Sequence, residues 1–507
     1  MSQPVPRTRA EHASIEAHLA QAMSPEQRSR VLIVTFTQWD FALGALAEIA
    51  IALRKQGSEL NLAFWTDHTP LRDPGWSSSG RLSRLMGSAS RDRHAIAALK
   101  ASGVSAGCFI SPPVRRWKPT AEIPIDRPMN RTQIRALTYH GSPMGRAILQ
   151  VNPDTETPIT DTFFWSKRWL LAAARSYAYV FDQTLEAIRG GGITAVAVYN
   201  GRFLHDRAAS AAAEFAGVPV LYYDTGGIDT DFDVTDAVTH DWTDLQRRML
   251  AMYAAWPEDE RDAIGSSWFE ERRQHTALNN RLFVESQRLG ETIDIPDGKR
   301  VIVYFSSSGD EIAELELDWS MFLGTQEVAL QMLADECRLL PNTTLVVRSH
   351  PHMRMKPKQD LDEWLQAVDR AAPDIHLDPY SSVDSYTLMA QADLVATYGS
   401  TTGVEAAYAG KPVIVMGPSA YDQLGCARFV STREQLTSAL VETQPGSWPA
   451  AVSYGLMMRR RGLMLEFVQR DPVDGFSLAN ERFDDAPIAV RHAGHLYKRF
   501  QKWRLSR

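Results

Sequence analysis

Leu394-Val395-Ala396-Thr397-Tyr398-Gly399-Ser400-Thr401-Thr402-Gly403-Val404-Glu405-Ala406 is the stretch that decides the fold class. Leu394 to Tyr398 is a short apolar run suited to a buried strand, and a helical stretch from Gly403 to Tyr408 follows a small, hydroxyl-rich turn. A strand that hands over to a helix in this way is half of a βαβ unit. Repeated units build a parallel sheet with right-handed crossovers. The turn itself has more than one reading. N–H groups at the helix start, the hydroxyls of Ser400 and Thr401, and a Gly399 that admits close approach form an anion site. Thr402-x-x-Glu405 also spells a capping box, which needs no ligand. Glu405 has a further use as the holder of a ribose hydroxyl pair.

The same rhythm continues outward. Strands are predicted at Val301 to Phe305, Thr344 to Val347, Ile375 to Leu377 and Val413 to Met416, with helices over Gln326 to Leu339, Leu361 to Ala371 and Ser385 to Ala390. Leu345-Val346-Val347-Arg348-Ser349-His350-Pro351 closes one of these strands. Side-chain alternation puts Arg348 and His350 on one side of it. There Arg348 offers a charge-assisted donor and His350 a donor to a phosphate or leaving group. A histidine at a strand end also has a purely structural reading. Ser306-Ser307-Ser308-Gly309-Asp310-Glu311 follows the first strand of this series. One of its carboxylates is a candidate base for a hydroxyl, and a helix start with favourable acidic residues is the alternative.

In the N-terminal half, strands are predicted at Val31 to Phe36, Leu60 to Trp65, Ala195 to Tyr199 and Val218 to Tyr223. Helices are predicted over Leu43 to Arg54, Lys167 to Arg189, Asp206 to Ala216, Trp242 to Trp256 and Pro257 to Gly290. Asn200, Arg202 and Asp224 follow strand ends and suit hydroxyl or carboxylate recognition. Asp229, Asp231 and Asp233 alternate without a nearby His or Cys, and read as a solvated acidic loop rather than a metal site. The expected organisation is a flexible arm or a peripheral helix over 1–29, a Rossmann-like domain over 30–293 with an irregular insertion at about 66–161, and a linker at 294–300. A second Rossmann-like domain over 300–445 and a helical segment with a basic tail over 446–507 follow. The fold class is α/β, with the two domains facing each other across a cleft and ligands beyond the carboxyl ends of the strands.

The 507 residues suit two or three domains, and the formal net charge of −7 argues against bulk binding of nucleic acid. Cys108, Cys337 and Cys426 form no CxxC pair or zinc spacing, which favours a reducing compartment. The N-terminus is polar, and no apolar run reaches the ~18 residues of a membrane span. These features predict a cytoplasmic protein. The tail from Arg491 to Arg507 has no acid and six Lys or Arg, with Leu496, Phe500 and Trp503 at helical spacing. It reads as a helix packed on the first domain or as a contact with the inner-membrane surface. The absence of GxxxxGK[ST], HExxH and GxSxG removes support for kinase, zincin and lipase readings.

Taken in order, Asn200-Gly201-Arg202, Ser307-Ser308-Gly309-Asp310-Glu311, Val347-Arg348-Ser349-His350-Pro351, Val383-Asp384-Ser385-Tyr386 and Tyr398-Gly399-Ser400-Thr401-Thr402-Gly403-Val404-Glu405-Ala406-Ala407 resemble bacterial capsule polysaccharide biosynthesis proteins. Those are similar to the Kdo transferases of capsule assembly and, more remotely, to sialyltransferases with an HP motif. The resemblance covers roughly residues 190–430. It implies a GT-B fold and a metal-independent glycosyltransferase without a cofactor. A nucleotide-sugar donor, CMP-Kdo or CMP-nonulosonate above others, and a glycan or glycolipid acceptor are its implied partners. Domain 300–445 then takes the donor, with Ser307, Ser308, Arg348, His350, Pro351, Gly399, Ser400, Thr401, Thr402 and Glu405 as contacts. Asp310, Glu311 and His350 are the catalytic candidates. Domain 30–293 takes the acceptor, with Asn200, Arg202 and Asp224. A UDP-sugar 2-epimerase, a polyol-phosphate transferase and a non-catalytic scaffold of a capsule assembly complex are the competing readings.

Overall fold

The computed structural model describes residues 14–36, 40–65, 69, 93–110, 117–150, 161–228, 230–239, 241–276, 284, 286–308, 314, 321–442, 444–471 and 475–483. Asp229, Asp310, Glu311 and the basic tail lie outside the described residues. The chain divides into two compact units. One comprises residues 1–151, 164–239 and 461–507; the other comprises 152–163 and 240–460.

The first unit is built on β1 (Arg30–Thr35), β2 (Glu59–Phe64), β3 (Ala195–Tyr199), β4 (Val220–Thr225) and β5 (Asp231–Thr235), with a short strand Leu463–Met464. The order is Leu463–Met464, β5, β4, β3, β1, β2. The pairs β1–β2, β1–β3 and β3–β4 are parallel, whereas β5 and Leu463–Met464 add antiparallel edges. β1 and β3 are apolar and buried along almost their whole length, as strands covered on both faces must be. The helix Asp40–Lys55 covers one face with Leu43, Leu46, Ile49, Ala50 and Leu53. Each such fully buried large aliphatic side chain contributes about 1.5–3 kcal/mol over leaving it in water.

The second unit carries β6 (Arg300–Phe305), β7 (Thr343–Arg348), β8 (Ile375–Leu377), β9 (Leu394–Thr397), β10 (Val413–Val415) and β11 (Arg428–Phe429). They are all parallel, in the order β11-β10-β9-β6-β7-β8. This is the doubly wound order of a nucleotide-binding sheet, and its direction reverses between β6 and β9. The first sheet reverses between β1 and β3. The α/β, Rossmann-like class read from the sequence therefore holds for both units.

Several expectations need correction. The N-terminal segment, open to a flexible arm or a peripheral helix, takes the second form where it is described: Ser14 caps the helix Ile15–Ala22, and Ile15 and Leu19 are buried. The helices Trp242–Ala255 and Glu258–Arg273 belong to the second unit, because Met249, Trp268 and Phe269 share a core with Val303 and Tyr454. The second of these helices ends at Arg273 instead of continuing to Gly290. The expected linker is part of the same unit, where Ile293 and Ile295 pack on that core. Asp231 and Asp233 are buried on β5 rather than solvated in a loop, and Arg461 lies 3.8 Å from the Asp233 carboxylate. Antiparallel pairing to β4 supplies the partners that the acidic composition hid.

Among its described residues the final segment is helical over Trp448–Arg460. It then returns to the first unit as strands, including a three-stranded antiparallel sheet of Gln469–Asp471, Gly475–Leu478 and Glu481–Arg482. Phe476 packs edge-on against Phe41. Buried Glu48 accepts the N–H groups of Phe467 and Val468 at 2.7 and 2.6 Å. The insertion is ordered where it is described. Asp182, on the helix Lys167–Gly191, accepts hydrogen bonds from the Tyr139 hydroxyl (2.9 Å), the Trp117 indole (3.0 Å) and the Thr120 hydroxyl (2.6 Å).

Candidate functional site

In the second unit the carboxyl ends of β6, β7 and β9 meet where the strand order reverses. Thr397, the last residue of β9, is fully buried. Its hydroxyl donates to the Phe305 carbonyl (3.0 Å) and accepts the Ser400 N–H (3.0 Å). This one hydroxyl ties the end of β6 to the turn after β9. The turn requires its glycines. Gly399 has φ +85°, and a Cβ there would lie 2.0 Å from the Pro418 carbonyl oxygen. A Cβ on Gly403 would lie 2.2 Å from the Tyr421 hydroxyl. Gly399 thus answers a packing demand of its own unit, beyond any need for ligand approach. The hydroxyls of Ser400 and Thr402 are 3.0 Å apart, and Thr401 is exposed.

The capping-box reading of Thr402 and Glu405 is not realised. Thr401 is the N-cap of the helix Thr402–Tyr408 and makes no side-chain cap bond. Glu405 is instead buried, 3.7 Å from the Arg272 guanidinium and beside Tyr386. Burial raises its pKa, opposed by Arg272 and the Tyr386 hydroxyl.

Beside this turn, Ser306 follows β6, and its hydroxyl accepts the His350 N–H at 2.8 Å. The side-chain amide of Gln326, at the start of the helix Gln326–Leu339, clamps Ser307: its Oε1 accepts the Ser307 N–H (2.6 Å) and its Nε2 donates to the Ser307 carbonyl (3.3 Å). Ser308 is buried next to it. His350 caps the short 3-10 helix Pro351–Met355, with Nδ1 accepting the His352 N–H at 3.1 Å. That role for Nδ1 puts the proton of the neutral ring on Nε2. Pro351 sits at the first position of this turn, where a missing N–H costs nothing.

Arg348 and His350 do not share a strand face. β7 ends at Arg348, so alternation does not extend to His350. The Arg348 guanidinium is buried and donates to the carbonyls of Asp378 (2.7 Å) and Ser381 (3.1 Å), holding the loop after β8. Burial lowers its pKa to about 10, which leaves it charged at neutral pH. Ser349 is equally committed: its hydroxyl receives the Trp364 indole N–H (2.7 Å) and lies 2.9 Å from His376 Nε2.

A second polar cluster sits at the carboxyl ends of β3 and β4 in the first unit. Asn200 has φ +55° and is buried. Its N–H donates to the Tyr223 carbonyl (2.8 Å), and its side-chain amide donates to Asp224 Oδ2 at 2.5 Å. Asp224 Oδ1 accepts the Thr225 N–H at 2.7 Å, and burial together with the nearby carboxylate raises the pKa of the Tyr199 hydroxyl. Arg202 reaches Gln150 at 3.3 Å. The three residues singled out in this half are therefore brought together. Buried His205 and Asp206, at the start of the helix Leu204–Phe215, adjoin them and were not anticipated. Among the described residues no group of three or more His, Cys, Asp or Glu could hold a metal.

Residues 317–444 match the family model described as capsule polysaccharide biosynthesis protein. The matched segment holds β7 to β11, all of the second sheet's strands but β6, with His350 and the Gly399 turn. The chain is thus similar to this family, as its motifs suggested. No curated protein matches the chain at a significant level. Among solved structures, the β-Kdo 2,4-transferase of KpsC from Thermosulfurimonas dismutans is 16% identical, covering 52% of this chain and 88% of that one, with a TM-score of 0.32. The β-Kdo 2,7-transferase of the same protein is 18% identical over 51% and 79%, with a TM-score of 0.30. A UDP-GlcNAc 2-epimerase from Neisseria meningitidis is 11% identical over 84% and 97%, with a TM-score of 0.28. Superpositions this loose carry no functional argument, so the fold rests on sheet order and the family likeness on the matched segment.

The residues missed at the sequence level are those whose partners are remote in the chain: Gln326, Thr397, Arg272 and Tyr386. Thr397 and Tyr386 lay within quoted stretches, and neither had a task read from them.

Proposed function

We propose that the chain is a glycosyltransferase of capsule or related surface-polysaccharide synthesis, taking its sugar from a nucleotide-sugar donor held by the second unit. The observation that carries this reading is the cluster at the sheet reversal. Ser306 to Ser308, His350 and the Ser400–Thr402 hydroxyls gather there, and His350 and the Ser400–Thr402 turn lie within the segment that matches the capsule family. Hydroxyls and a histidine N–H are donors suited to a diphosphate or to the phosphate of a CMP-sugar. His350 Nε2 would donate to the donor phosphate as charge develops on the leaving nucleotide. Glu405 would accept the ribose hydroxyls. CMP-Kdo or a CMP-nonulosonate is the favoured donor, on the resemblance of the motifs.

In the first unit, Asn200, Arg202 and Asp224 would bind the acceptor, since an oriented carboxylate and amide recognise sugar hydroxyls. Asp310 or Glu311 would deprotonate the acceptor hydroxyl, with no metal in the step. No helix among the described residues is long and apolar enough to cross a membrane. A glycolipid acceptor would then be met at the inner-membrane surface, with the basic tail as the contact.

Thermal-shift titration with CMP, UDP and GDP, followed by product analysis with CMP-, UDP- and GDP-sugars, tests the reading. Stabilisation by one nucleotide, about 2.7 kcal/mol at a hundredfold excess over its Kd, is expected, together with transfer or slow donor hydrolysis. A free epimerised sugar would favour the 2-epimerase, and a phosphodiester product the polyol-phosphate transferase. Unaltered surface glycan in a His350→Ala strain would favour the scaffold.

A further inference from the structure

Glu405 presents a physical problem that its neighbours answer. It stands in the first turn of the helix after β9, at the sheet reversal, and is only 8% exposed. A carboxyl in that setting tends to hold its proton. Protonated, it would accept poorly from a pair of hydroxyls.

Two side chains from distant parts of the second unit converge on it. Arg272, from the last turn of the helix Glu258–Arg273, lies over the Trp268 ring at 4.0 Å and comes within 3.7 Å of Glu405 Oε1. Tyr386, at the start of the helix Ser385–Gln391, stands beside the carboxylate. Its hydroxyl keeps its proton because burial and the Glu405 charge both oppose ionisation, so it acts as the donor.

Tyr386 is itself fixed in place. Buried Asp384 caps its helix, accepting the Thr387 N–H at 2.9 Å and the Thr387 hydroxyl at 2.6 Å. The other Asp384 oxygen lies 2.9 Å from Nε2 of His275, a non-glycine residue at φ +55°. Non-glycine residues in that region are held there by their surroundings, and they recur at functional sites.

We propose that Tyr386 and Arg272 are positioning residues that hold and aim the Glu405 carboxylate, and so set the preference of the donor site for ribose over deoxyribose. This rests on the donor reading above, in which Glu405 grips the ribose hydroxyls. Neither residue touches the nucleotide; both act through the carboxylate. A carboxylate with one edge beside Tyr386 retains lone pairs for two hydroxyls, and a 2′-deoxynucleotide would leave one of those unpaired.

The experiment is calorimetric titration of the full chain with CMP, UMP and GMP, each against its 2′-deoxy counterpart. The wild type should prefer the ribonucleotide of its chosen base. In Tyr386→Phe, ribonucleotide affinity should fall about tenfold, the cost of a hydrogen bond to a charged group. Affinity for the deoxynucleotide should hold, so the ribo-to-deoxy ratio collapses. Arg272→Met, which keeps an apolar contact on Trp268, should reduce the same ratio. It serves as the test should Tyr386→Phe lose its fold by circular dichroism. In a Glu405→Gln background, Tyr386→Phe should have no further effect on the ratio. A wild type that binds ribo- and deoxynucleotide alike, or variants that keep the wild-type ratio, would overturn the positioning role. Failure of the wild type to bind any nucleotide would instead overturn the donor reading itself.

Discussion

The turn after β9 and the turn after β3 solve one geometric problem with different chemistry. Both carry the chain off the carboxyl end of a parallel strand through left-handed backbone, at Gly399 (φ +85°) in one and Asn200-Gly201 (φ +55° and +80°) in the other. The first turn closes on the Pro418 carbonyl and gathers hydroxyls, beside a histidine N–H. The second closes on its own neighbour, with Asn200 donating to Asp224. The turn in the second unit is rich in donors for an anion, whereas the turn in the first unit holds a carboxylate in a fixed pose. The same backbone device therefore serves opposite polarities, and this is the physical basis for assigning donor and acceptor to different units.

Changes at the two turns should separate them. The largest effect is expected at Gly399→Ala, where positive φ and a Cβ inside contact distance of Pro418 act together. We expect a loss of about 4 kcal/mol, read as a lower urea midpoint. Substantially smaller destabilisation would mean that the turn can open. His350→Ala should leave the unfolding midpoint nearly unchanged while lowering kcat/KM about a hundredfold. A fall confined to stability would return His350 to its capping role.

The units should also differ in pH response. Burial pushes Glu48, in the first unit, up from 4.5 to about 7. A raised carboxyl contributes stability that is complete below its unfolded value and lost as pH rises through its folded one. Wild-type stability should therefore decline from about pH 4.5 to about 7, by roughly 2 kcal/mol relative to Glu48→Gln. Parallel pH profiles for the two proteins would show that Glu48 does not titrate in this window. The smallest effect is expected at Asn200→Gly, which keeps the left-handed turn but removes the donor to Asp224. Acceptor KM should rise several-fold at an unchanged donor KM, with a stability cost of about 1 kcal/mol. A change in donor KM would blur the division between the units.

Much of the second sheet could be read directly. β6, β7, β9 and β10 are apolar runs with marked ends, and the first three lead into the polar residues that cluster at the reversal. Arg348 was legible as important but not in its task, since nothing local reveals that its guanidinium is consumed by the carbonyls of Asp378 and Ser381. β5 was missed because Asp231 and Asp233 look solvated until β4 and Arg461 are placed beside them. The helices between Trp242 and Arg273 were legible as helices, but their allegiance was not. An apolar stripe specifies that it must be covered, not by which sheet.

By itself, the sequence determined the alternation of strands and helices, the glycine-marked turns and the residue types available at each strand end. Those follow from local sterics and from side-chain period, which act over a few residues. Tertiary structure alone decided that the chain's last strands return to the first unit, and that Thr397 joins β6 to the turn after β9. It also decided that Glu405 faces Tyr386 and Arg272 rather than its own helix cap. Each of these is a pairing between residues far apart in the chain, fixed by the packing of whole elements and by the need of buried polar groups for a partner.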